Sequence, residues 1–78
     1  MSASSILKRK YNHWSGKAVG DVTLTPNTEK GWAFLANRHN CKPVERKELG
    51  TFLSSAKRAA NTYMRTEGYV PDGEWEEQ

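Results

Sequence analysis

The sequence predicts a mainly α domain with a small β element, in which three helices form the core and residues 17–25 form a β-hairpin. Three observations predict it. Apolar residues recur at three and four positions from Val44 through Leu49, Phe52, Leu53, Ala56, Ala59, Ala60, Tyr63 and Met64, the spacing of a buried helical stripe. A second set, Trp32, Leu35 and Ala36, repeats that spacing in GWAFLANRH. Between the β-prone runs KAV and VTLT stands Gly20-Asp21, the Gly-X pair that a two-residue hairpin turn prefers.

Taken in order, SASSILKRKYN (residues 2–12) reads as a short helix capped by Ser4 or Ser5, with Ile6, Leu7 and Tyr11 opposite Lys8, Arg9 and Lys10. A helix so short is marginal in water. Residues 1–16 are therefore expected as a basic arm outside a globular domain at 17–70. The hairpin pairs Lys17 to Val19 with Val22 to Thr25. Thr25 or Asn27 caps the next helix, Glu29 sits in its first turn, and Asn40 ends it in the left-handed conformation. Pro43 opens the following helix, with Glu45 and Glu48 in its early turns and Arg65 and Gly68 marking its end.

Continuous helix from Pro43 to Glu67 would be roughly 37 Å long, whereas a chain of this size folds to a width of roughly 30 Å. Such a rod either overhangs and dimerises or is broken. Ser54-Ser55 is the expected break, because serine favours caps over helix interiors. Three helices result, within GWAFLANRH, VERKELGTFL and SAKRAANTYMRTEG, with residues 71–78 left as an acidic tail.

That order, closed by Tyr69-Val70, resembles a winged-helix or related helix-turn-helix DNA-binding domain over Trp32 to Val70. The resemblance implies that the third helix is a recognition helix. With Ala56, Ala59 or Ala60, Tyr63 and Met64 buried, its outward set is Lys57, Arg58, Asn61, Thr62 and Arg65. Arg58 suits guanine and Asn61 adenine, while Lys57 and Arg65 suit phosphates. Lys8, Arg9 and Lys10 would add phosphate contacts from the arm.

Charge agrees with that direction. Residues 1–65 carry +8 and residues 66–78 carry −5, within a total of +3. Such asymmetry often accompanies polyanion binding, although it also describes two solvated surfaces.

Other classes are disfavoured. Cys41 is the single cysteine and no run approaches the ~20 apolar residues of a membrane span, so a cytoplasmic protein without disulfides is expected. His13, His39 and Cys41 are the only soft ligands and lack the paired spacing of a zinc site. There is no glycine-rich phosphate loop, and Cys41 with His39 has no orienting third group. Neither a metal, a cofactor nor enzymatic activity is expected.

Two functions follow. The first is a DNA-binding regulator or accessory architectural factor, with a homodimer as its expected assembly. The second is a small effector of phage or mobile-element type that binds a host protein. Trp14, Phe34 and Trp75 are its candidate interface residues, since aromatic side chains carry much interface energy.

Overall fold

A seven-residue segment often satisfies the helical repeat and the strand alternation equally well, and distant pairing partners then decide between them. The computed structural model describes residues 6–27, 31–47 and 49–78, and over these the chain is an antiparallel sheet with one helix packed on one face. In chain order the elements are β1 (Leu7–His13), β2 (Val19–Asn27), β3 (Gly31–Asn37), β4 (Val44–Arg46), α1 (Leu53–Thr66), β5 (Tyr69–Pro71) and β6 (Glu76–Glu77). The strands lie in the order β4-β3-β2-β1-β5, and β6 also pairs with β1. This overturns the mainly α expectation and its three-helix, helix-turn-helix-like core. The stretch from Trp32 to Val70 supplies β3, β4 and α1 and begins β5, with one helix where the resemblance implies three.

The reason lies in the register. Leu24 stands opposite both Leu7 and Phe34, and Val22 stands opposite Ala36. Each pairing therefore stacks apolar side chains on one face. In β3, Phe34 and Ala36 are buried while Leu35 is exposed, an alternation that the spacing of Trp32, Leu35 and Ala36 conceals. The segment expected as an amino-terminal helix is β1, in which Leu7, Arg9, Tyr11 and His13 alternate with Lys8, Lys10 and Asn12. β1 lies inside the sheet, between β2 and β5. The proposed caps and first-turn residues Ser4, Ser5 and Glu29, together with Glu48, lie outside the described residues.

The expected turn at Gly20-Asp21 is also replaced. β2 runs straight through it, and the chain reverses at Trp14 to Ala18, where the His13 N–H donates to the Ala18 carbonyl at 2.8 Å. Gly20 serves close packing instead. A Cβ there would stand 2.6 Å from the Asn37 carbonyl oxygen and 3.2 Å from the Met64 methyl carbon.

Pro43 opens no helix. Val44 and Arg46 pair with Ala36 and Phe34 as β4, and α1 starts only at Leu53, so Ser54 and Ser55 fall in its first turn. The serines therefore mark a beginning, neither a break nor the middle of a rod. Fourteen helical residues measure roughly 21 Å, within a molecule of 38 × 22 × 20 Å. Phe52 occupies the cap position without a side-chain hydrogen bond. The far end follows its sequence signals, with Arg65 in the last turn and Gly68 at φ 90°. Asn40 is left-handed, φ 56°, but in the turn that follows a strand.

Packing joins these elements. Tyr11, Val22, Leu24, Phe34, Ala36 and Tyr69 from the sheet meet Ala56, Ala60 and Met64 from α1. Ala56 and Ala60 are one turn apart and small enough to bring the helix backbone close to the strands. Beyond α1 the chain returns to β1 twice, with Pro71 opposite Tyr11 and Glu77 opposite Leu7. The returning chain is two residues longer than the stretch of β1 it spans, and residues 72–75 bulge to absorb the difference.

Candidate nucleic-acid interface

The helix LSSAKRAANTYMRT holds Lys57, Arg58 and Arg65 and no carboxylate. Helical spacing sets Arg58, Thr62 and Arg65 on one stripe, away from the buried stripe of Ala56, Ala60 and Met64. All three are exposed, and Lys57 is half-buried on the flank. Glu67, just past the end of α1, is held by Arg38 at 2.7 Å, and that hydrogen bond raises the Arg38 pKa above its ordinary value. Among the described residues, the outer side of α1 therefore presents basic side chains with no carboxylate from its own helix.

Asn61 does not belong to it. Its Oδ1 accepts from the Tyr11 hydroxyl and from Arg9 Nη1, the latter at 3.2 Å. Arg9 in turn donates from Nε to the Gly73 carbonyl at 2.8 Å, and its guanidinium lies 5.7 Å from the Trp75 ring centre and 5.9 Å from that of Tyr11. Burial raises the Tyr11 pKa above its ordinary value, against the lowering effect of Arg9. These residues tie β1, α1 and the carboxy-terminal segment together. Arg9 and Asn61, expected to meet DNA, are thus committed inside the fold.

Lys8 and Lys10 alternate to the opposite side of the sheet. There they share a hollow of about 380 Å³ with Asp72, Glu74 and Glu76. The sequence-selected cations accordingly divide: Lys57, Arg58 and Arg65 stand together with Thr62, while Lys8 and Lys10 face away beside carboxylates.

One cation was missed by sequence reasoning. Arg46 projects from β4 to the helix side, its guanidinium 5.6 Å from the Tyr63 ring centre, and it lines the same groove as Arg58. Strand alternation in VER is the signal that would have found it.

The aromatic candidates also divide. Phe34 is 3% exposed and belongs to the core, reaching the surface only at the floor of the groove beside Arg46. Trp75 is half-buried under Arg9 and packs against the core. Trp14 is 76% exposed, and so is Phe52 at 72%, a residue the helical reading had placed in a buried stripe.

Among the described residues no three His, Cys, Asp or Glu side chains gather as a metal site, and no helix is long and apolar enough to cross a membrane. His13 Nδ1 lies 2.9 Å from the Ser15 hydroxyl oxygen in the exposed β1–β2 turn. That contact is local to the turn. No protein-family model matches the sequence, and comparison with curated proteins and with solved structures likewise finds no match.

Proposed function

We propose that this protein binds nucleic acid through the outer face of α1, in the manner of a cytoplasmic regulator or accessory architectural factor. The observation that carries the reading is the acid-free helix whose Arg58, Thr62 and Arg65 form one exposed stripe, with Lys57 on its flank. Such a stripe offers two guanidiniums, an ammonium and a hydroxyl to phosphate oxygens, the groups that contact nucleic-acid backbones most often. With Asn61 held by Tyr11 and Arg9, the contact is one of charge and shape more than of base reading.

Titration of a mixed-sequence DNA duplex at several salt concentrations tests it. Three cations meeting phosphates give a slope of log affinity against log salt of about −3. Absence of binding at low salt would overturn the reading. A protein partner is the second reading, favoured by Trp14 and Phe52, two large aromatic side chains left in solvent.

A further inference from the structure

We infer that the groove between α1 and β4 is a docking site for an acidic segment of a partner protein, anchored by an apolar side chain. The groove is shallow and open to solvent, with a volume of about 570 Å³. Phe34, Leu49, Ala59 and Tyr63 supply its apolar surface, and Arg46 and Arg58 supply its charge. None of the described residues lining it carries a carboxylate. The Arg46 guanidinium lies 5.6 Å from the Tyr63 ring centre, so a cation stands beside the apolar floor before any partner arrives. Phe52, 72% exposed, stands at the helix cap three residues before the groove residue Ser55.

Charge complementarity selects the occupant. A phosphate backbone would engage Arg46 and Arg58 but leave the apolar floor in water. An apolar segment without charge would fill the floor and leave two arginines desolvated without partners, a costly arrangement. A segment bearing an aromatic or aliphatic side chain between aspartates or glutamates satisfies both surfaces, with the anchor in the groove and the carboxylates on the guanidiniums. The inference is independent of the nucleic-acid reading, although Arg58 serves both. Occupation by an acidic segment would therefore compete with nucleic acid for that residue.

The test uses the full chain and three probes: a fluorescent random copolymer of glutamate and tyrosine, polyglutamate of matched length, and a mixed-sequence DNA duplex. The expected result is that the copolymer binds about tenfold or more tightly than polyglutamate, the margin of one buried anchor. Ala59→Gln, which keeps a good helix former and lays a polar side chain across the groove, should erase that margin while leaving polyglutamate binding unchanged. Equal affinity for the two polymers, or binding of neither, overturns the proposal. So does loss of duplex binding in Ala59→Gln with the copolymer margin intact, which would give the groove to nucleic acid. The comparison of the two polymers on the unaltered protein stands even where the variant fails to fold.

Discussion

The Tyr11 hydroxyl and the Arg9 guanidinium donate to the same oxygen, Oδ1 of Asn61, joining two neighbours on one face of β1 to the middle of α1. A residue chosen from the sequence to read a base is thereby a joint between sheet and helix. Its substitution separates the two roles.

Asn61→Ala leaves a phenol and a guanidinium N–H without their acceptor in a partly buried setting. The expected cost is about 1–3 kcal/mol, read by urea denaturation. Affinity of the folded protein for a DNA duplex should stay unchanged. A large loss of affinity with unchanged stability would return Asn61 to the interface.

Arg58→Ala and Arg65→Ala should show the reverse pattern. Both side chains are exposed, so stability should move by less than about 0.5 kcal/mol. Each should instead reduce the salt slope of nucleic-acid binding by about 1. Lys10→Ala, on the opposite side of the sheet, should leave the slope as it is.

Tyr11 gives a pH dependence with a definite sign. Its pKa in the fold is raised by burial, so the folded state favours the neutral phenol. The associated stability is fully present below the unfolded value of about 10 and is lost as pH rises through the higher folded value. Denaturation midpoints measured across this alkaline range should fall in the native protein and fall less steeply in Tyr11→Phe. A steeper fall in the variant would contradict the assignment.

Phe52 stands at the helix cap with no side-chain hydrogen bond and most of its surface in solvent. Phe52→Ser or Phe52→Asp supplies an oxygen for the unpaired N–H groups of the first turn. Either should stabilise the protein by about 1 kcal/mol, seen as a higher melting temperature. The same substitutions should weaken binding of the acidic tyrosine copolymer if Phe52 extends the groove.

Gly20→Ala tests the corrected topology. Its Cβ would press on the Asn37 carbonyl between two paired strands, where overpacking costs about 1–3 kcal/mol. Gly16→Ala falls in the true turn, at φ 76° with open space around it. It should cost only about 1 kcal/mol, through its backbone conformation. Urea midpoints of the two variants rank the effects.

The stripe of Ala56, Ala60 and Met64 was legible in the sequence, as were the Arg65 and Gly68 ending and the exposed cations of α1, because each depends on neighbours within a few residues. The sheet was not. Arg9 stands among Leu7, Tyr11 and His13 on the helix-facing side of β1, so its charge breaks an alternation that would otherwise have announced a strand. Trp32, Leu35 and Ala36 fit a helical stripe by spacing, and only the pairing of Phe34 with Leu24 and Arg46 reveals which residues are inside. Gly20-Asp21 carries turn chemistry locally, yet the crowding that demands glycine comes from Asn37, Met64 and Tyr69. The site shared this limit: Arg46 and Arg58 are twelve positions apart and line one groove only because β4 pairs with β3, on which α1 packs.

The strand β1 acquires its two neighbours on very different terms. β2 reaches it through the short turn at Trp14 to Ala18, whereas Tyr69 must come back from position 69 to pair at position 13. Closing that second loop carries the larger entropy cost. The return of β5 and β6 is thus the natural last step of folding and the first to reverse, and in native-state hydrogen exchange the amides of that segment should open ahead of those linking β1 to β2. The acidic end of the molecule behaves in this light as a clasp, fastened through Arg9, whose release would uncover one edge of β1.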